Sequence, residues 1–299
     1  MRILVPVDGS DQSRHIIHYL GALQRLHEGD SPEIELVNVQ YEPTPGLARV
    51  FGESAVKAAY EEEGQKVFEA LRNTVEAAEL TVKTKVVFGD MGPALAKEAE
   101  RLGADLIVMG SRGLNPVKGF FLGSFTNAVL SQVKTPVLLV RKHTTVEKPA
   151  LRIGVCVDGS VYGEAAVDHI LKNHGVAGND VRYELINVTE PFYIITDSSP
   201  DITDEIGSTS YAKAYEELAE KRFHETVDPI AAKFKEAGLA VDCVHLTGSV
   251  AEELVDYSKN LDLLVMGSHG RGNFTAAVLG SVAMHVAAET DLPILVVRR

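Results

Sequence analysis

The sequence predicts an α/β fold of two tandem doubly wound domains, each a five-stranded parallel sheet in the order 3-2-1-4-5 flanked by helices. Three observations predict it. The chain repeats itself once at a domain-sized interval: "RILVPVDGS" at 2–10 returns as "RIGVCVDGS" at 152–160, and "ADLIVMGSRG" at 104–113 returns as "LDLLVMGSHG" at 261–270. Within each copy, short and almost wholly apolar runs alternate with stretches of helical periodicity, the pattern of parallel strands covered on both faces. At 299 residues, 45% of them hydrophobic, the chain suffices for about two domains with a core each.

The elements of the first copy follow in order. The apolar run 2–7 reads as a strand, with Pro6 at its carboxyl end, where a missing N–H costs no central ladder bond. A helix follows, with Ser10 or Ser13 as its cap and Ile16, Leu20, Leu23 and Leu26 or His27 on one face. Next come a strand at 34–39, a polar stretch, a long helix at 53–79, a strand at 82–88 and a helix at 92–102. The strand "DLIVMG", a glycine-rich loop, a helix at 123–133 and the strand "VLLVR" complete the copy. The second copy matches, with "ELINV" answering "ELVNV" and "LPILVVR" answering "TPVLLVR"; Pro229 is expected to kink or divide its long helix at 209–237. The domains are read as 1–141 and 151–299, joined by a polar linker at 142–150.

Composition narrows the function. A net charge of −13 argues against nucleic acid as a partner, since that interaction leaves a basic face. No run approaches the ~18 apolar residues of a membrane span, and the N-terminus goes straight into a strand, so the expectation is a cytoplasmic protein with no membrane partner. Cys156 and Cys243 sit in apolar strand-like runs and read as buried, reduced thiols. His15 and His18, three apart on the first helix, read as a solvated face in place of a metal site, and "EEE" at 61–63 as an exposed helical face. The segment 190–210, with Phe192, Tyr193, Ile194 and Ile195, reads either as a lid or partner surface or as packing over the sheet.

In a doubly wound sheet, ligands sit beyond the carboxyl ends of the strands where the strand order reverses, here between strands one and four. The residues past those ends are Asp8 and Gly110 through Gly113 in the first copy, and Asp158 and Gly267 through Gly270 in the second. "GSRGLNPVKGFFLGS" at 110–124 and "GSHGRGNFTAAVLGS" at 267–281 share the skeleton Gly-x2-Gly-x9-Gly-Ser while the filling changes. One such glycine pair would be explained by a strand turning into a helix. The spacing found twice, each time paired with "VDGS", points to a backbone requirement. Glycine lets backbone approach an anion, and the Gly123-Ser124 and Gly280-Ser281 helix starts offer free N–H groups to a phosphate. Asp8 suits a ribose hydroxyl better than a phosphate it would repel. The motif is neither a P-loop nor a G-x-G-x-x-G turn after strand one.

"VPVDGS", "LVNV" and "VMGSRG…GS" running into "PVLLVR" resemble the universal stress protein family in its ATP-binding branch, over essentially the whole chain and twice. The resemblance implies an adenine nucleotide alpha hydrolase-like fold and ATP, with or without Mg. Around the adenosine it implies Pro6, Val7, Asp8 and Val39, and around the phosphates Gly110, Arg112, Gly113, Gly123, Ser124, Phe125 and Thr126. In the second copy it implies Val157, Asp158, Val188, Gly267, His269, Gly270, Gly280, Ser281 and Val282. Arg112 stands where His is common in the family, and Ala283 replaces Thr126, so the second site is expected to be weaker by one hydrogen bond, about 0.5–1.5 kcal/mol. The resemblance also implies pairing through the last strands, here an intramolecular pseudo-dimer, and leaves a further homodimer open.

The expected function is a stress-response regulator that binds adenine nucleotide in each copy and is read out by a protein partner. A slow ATPase or phosphoryl-transfer enzyme on the same site is the alternative. It lacks an evident acidic metal pair and a shared base, since His269 is matched by Arg112. A scaffold without nucleotide is the third reading, against which the glycines are intact.

Overall fold

The computed structural model describes residues 1–26, 31–111, 122–141, 144–146, 150–173, 180–191, 205–270 and 279–298, with side chains in the long second-half helix described from 213 onward. The first copy runs β1 (Arg2–Pro6), α1 (Asp11–Leu26), β2 (Glu33–Gln40), α2 (Pro45–Phe51), α3 (Glu53–Ala77), β3 (Val82–Phe88), α4 (Met91–Leu102), β4 (Leu106–Gly110), α5 (Ser124–Gln132) and β5 (Val137–Val140). The second runs β6 (Leu151–Cys156), α6 (Val161–Asn173), β7 (Val181–Thr189), α7 (Glu205–Glu236), β8 (Val241–Thr247), α8 (Val250–Ser258), β9 (Leu263–Gly267), α9 (Ser281–Glu289) and β10 (Ile294–Val297).

The strands form one ten-stranded sheet in the order β3-β2-β1-β4-β5-β10-β9-β6-β7-β8. Each half has the expected 3-2-1-4-5 order and is parallel throughout. The halves join where β5 and β10 pair antiparallel, Leu139 opposite Ile294 and Val137 opposite Val296, so each covers the edge the other would expose. The expected pairing of the last strands is therefore present within the chain.

Alternation along the strands divides the core by face. Ile3, Val5, Leu138, Val140, Ile153, Val155, Leu295 and Val297 point to one side, under α1, α3, α6 and α7. Leu4, Ile107, Leu139, Leu264, Ile294 and Val296 point to the other, under α4, α5, α8 and α9. Both cores run unbroken across the β5–β10 junction. The glutamate shared by "ELVNV" and "ELINV" is one exception to the apolar pattern. Glu35 is buried against Arg101 from α4, with Nη2 at 2.9 and 3.0 Å, and Glu184 against Arg152 from β6 and the hydroxyl of Tyr257 at 2.7 Å. Each buried carboxylate has a charged hydrogen-bond partner, without which it would be strongly destabilising.

Three expectations are corrected. The polar stretch before α3 contains a helix, α2, started by Thr44, whose hydroxyl accepts from Leu47 N at 3.4 Å, and by Pro45 at its first turn. Pro229 does not divide α7, because Phe223, Val227, Ile230 and Phe234 clamp the helix to the sheet on both sides of it. Cys243 is exposed, because β8 has β7 as its one neighbour, whereas Cys156 is half-buried. The segment 192–204 lies outside the described residues.

Candidate functional site

The crevice begins where β1 and β4 separate. Their ladder ends at Leu4 and Ile107, while β1 continues beside β2 through Pro6, and Val7 N donates to Val37 O at 2.8 Å. Successive N–H groups alternate in direction, so the donor that Pro6 lacks would have faced the side from which β4 has departed. In the second half the β6–β9 ladder likewise ends at Val155 and Val265, and Cys156 takes the proline's place. Burial, with a smaller contribution from Asp158, pushes the Cys156 thiol up to about 12, so this cavity-wall cysteine stays protonated.

Two buried asparagines missed by the sequence reading fix the strand exits. Asn38 Nδ2 donates to Val7 O at 2.8 Å and Asn187 Nδ2 to Val157 O at 2.7 Å. Their signal was the repeated Asn of "LVNV" and "LINV". Val7 and Val157 are themselves core residues, with their N–H and C=O groups taken by these bonds, and they hold Asp8 and Asp158 in place.

The two aspartates are held differently. Asp8 Oδ1 accepts from Ser10 N at 3.0 Å and from the Ser13 hydroxyl at 2.8 Å. Burial alone would raise its pKa, but these bonds outweigh burial and hold the carboxyl below its ordinary value. Asp158 Oδ1 accepts from Ser160 N at 2.9 Å, and the place of Ser13 is taken by Gly163, whose added Cβ would stand 3.0 Å from that oxygen. A Cβ on Gly270 would stand 3.0 Å from Asp158 Oδ2. The second-half loop glycine and the strand-one aspartate are thus neighbours, as their spacing predicted.

Gly110 and Gly267 serve packing. A Cβ on Gly267 would lie 2.7 Å from the Tyr162 backbone, and one on Gly110 would lie 2.6 Å from the Gln12 side chain, so these glycines admit the first turns of α6 and α1. Gly123 N donates to Ser111 O at 3.1 Å and Gly280 N to Ser268 O at 2.8 Å, pinning each helix start to the preceding strand end. Neither helix start has a side-chain cap, and Ser124 and Ser281 are exposed there. Phe125 and Val282 pack against the core under α4, α5, α8 and α9.

Thr126 requires a correction. Its hydroxyl is 1% exposed and donates to Gly110 O at 3.0 Å and Ser111 O at 3.3 Å. It ties α5 to the end of β4 and is not turned toward a phosphate, so the hydrogen bond expected to separate the two sites is a packing difference. Arg112 and Gly113 lie outside the described residues.

In the second half these pieces enclose a cavity of about 470 Å³, within the range of small-molecule sites. Val157, Asp158, Val188, Gly267, His269, Gly270, Gly280, Ser281 and Val282 all line it. His269 is 9% exposed, its ring 5.2 Å from that of Tyr162 and its Nδ1 3.1 Å from Ser268 Oγ. The α7 helix, which the sequence reading left out of the site, contributes Tyr215, Arg222 and Thr226 to the wall. Val39, the counterpart of Val188, packs on the core under α4, α5, α8 and α9 at the end of β2. Among the described residues no group of three or more His, Cys, Asp or Glu is arranged to hold a metal ion.

The chain is a doubly wound α/β protein with a switch point in each half. The profile of the Universal stress protein family matches residues 1–141 and again 150–298. The chain belongs to that family of stress-response proteins, as a tandem member. A universal stress protein of Mycolicibacterium smegmatis is 26% identical over 99% of this chain and 96% of its own. One of Thermus aquaticus is 35% identical over 46% of this chain and 97% of its own. The crystal structure of a universal stress protein from Archaeoglobus fulgidus superposes with a TM-score of 0.64 at 20% identity, over 100% of this chain and 98% of that one, and shares the fold. No helix among the described residues is long and apolar enough to cross a membrane.

Proposed function

We propose that the chain binds an adenine nucleotide, ATP in the first instance, in each half, and acts as a nucleotide-sensing regulator read out by a protein partner. The observation that carries this reading is the second-half cavity, where Gly270 lies against the Asp158 carboxylate and the uncapped start of α9 opens into the same space. A carboxylate on one side of a crevice and a row of open N–H groups on the other suit a ligand with hydroxyls at one end and phosphates at the other. The first half repeats the aspartate, the glycine-pinned helix start and the asparagine that fixes the strand exit. His269 is held by Ser268 and faces Tyr162, which favours a wall residue over a base that activates water.

The test is to denature protein purified without added nucleotide, quantify the adenine nucleotides released, and titrate ATP into the emptied protein and into Gly270→Val. About two nucleotides per chain are expected, with one lost in the variant, where the larger side chain is driven into Asp158. ADP in place of ATP would revive the slow ATPase. No nucleotide released and no heat of binding would leave the glycine loops as turns and overturn the reading.

A further inference from the structure

We propose that Arg222 is a specificity-determining residue of the second-half site, taking an anionic group of the bound nucleotide, so that the two sites differ in their preference for ligand charge. The inference rests on the nucleotide reading above and goes beyond it, because α7 belongs to no part of the repeated glycine motif.

The long helices of the two halves can be aligned residue for residue. Counting back without a gap from β3 and β8, Gly64 answers Phe223, Phe68 answers Val227, Leu71 answers Ile230 and Val75 answers Phe234, and these are the positions that face the sheet in both. In this register Val86 of β3 answers His245 of β8. In the first half, Gly64 lies so close to Val86 that an added Cβ would be 2.4 Å from its side chain. In the second half the same contact is a Phe223 ring stacked on the His245 ring at 4.5 Å. Two rings face to face fill more space between helix and sheet than a glycine on a valine. The contact is held from both sides: His245 bonds to Glu220 and Thr189, each at 3.0 Å, and the Tyr215 hydroxyl donates to Glu190 O at 2.6 Å.

The residues lining the space beneath α7 differ in kind between the halves. Tyr215, Arg222 and Thr226 border the second cavity, and the first half has Val56, Glu63 and Val67 at the matching positions. Val56 is buried, and Val67 closes on Gly9 at 3.6 Å from where its Cβ would be, so that wall is apolar and packed. Glu63 is exposed and paired with Lys66 at 2.8 Å. Arg222 is the one Lys or Arg among the described residues lining the second cavity, which also carries Asp158 and Glu190. It makes no ion pair with a described residue. A guanidinium offers a planar fork of donors suited to a phosphate, and a glutamate at the same place repels one.

The test is calorimetric titration of the full chain and of Arg222→Gln and Arg222→Lys with ATP and with adenosine. Arg222→Gln is expected to lower the ratio of ATP to adenosine affinity at one of the two sites by about tenfold, and Arg222→Lys to restore part of it. Thermal stability should be unmoved, since the side chain is exposed and bonds to no described residue. A ratio unchanged in Arg222→Gln, with ATP still bound, would overturn this assignment and leave the nucleotide reading standing. Absence of nucleotide binding in the parent chain would overturn both.

Discussion

Glycine does three different jobs here, and the residue scale is where they separate. Gly270 leaves room beside a carboxylate, Gly267 and Gly110 leave room for a helix, and Gly9 and Gly159 adopt a positive φ as the chain leaves the first strand of each half. Gly267→Ala forces a Cβ against Tyr162 backbone, and is expected to cost about 1–3 kcal/mol in urea unfolding. Gly110→Ala meets the flexible Gln12 side chain and should cost less. Equal costs would mean that the close approach of α6 is not what the glycine serves. Glu79 is the one non-glycine with positive φ among the described residues, at 58°, in the place Gly238 holds in the second half at 73°. Glu79→Gly should therefore stabilise the chain by about 1 kcal/mol, read as a higher urea midpoint at constant slope.

At the scale of elements, hydroxyls and rings decide how helices sit on the sheet. Thr126→Ala removes the bond from α5 to Gly110 and Ser111, and is expected to lower stability by about 1 kcal/mol while leaving nucleotide affinity as it was. A loss of ATP affinity without a loss of stability would instead place the hydroxyl on the ligand. Helix periodicity made Thr126 visible but not its partner, since a hydroxyl at a helix start can turn toward a ligand or back to its own strand. The same limit hid α2 and the undivided α7. Thr44 and Pro45 are a legible start signal, but seven residues without a buried side chain leave no apolar stripe to read. Pro229 is legible as a breaker, whereas the rings on either side that outweigh it act through the sheet.

On the scale of the whole molecule, the junction between halves is core. His169 sits there, beside a small cavity shared with Tyr19, Leu138, Leu151 and Leu295. Burial, and secondarily Lys172, holds its pKa below the ordinary 6.5, against a smaller opposing pull from Asp105. As pH falls through about 6.5, the unfolded chain takes up a proton that the folded His169 refuses, so this contribution to stability drops on the acid side. His224, whose pKa Asp228 and Glu220 raise, contributes in the opposite direction. His169→Leu should therefore lose less melting temperature, or gain more, than the parent chain between pH 7 and pH 5. An unchanged slope in the variant would assign the acid sensitivity elsewhere.

Much of this was open to the sequence alone. The duplication, the strand order, the place of the crevice and the nearness of Asp158 to Gly270 follow from local patterns, because strand–helix alternation and right-handed crossovers leave few arrangements. The pairing of β5 with β10 followed from the family likeness and from two edges in need of cover. Only the tertiary structure decided what faces what. It turned Thr126 inward, exposed Cys243 on an edge strand, joined both cores across the halves and brought α7 with Arg222 to the rim of one cavity. Those outcomes depend on distances between residues far apart in the chain, where one ring pair, Phe223 on His245, fills a contact that a glycine on a valine makes in the other half.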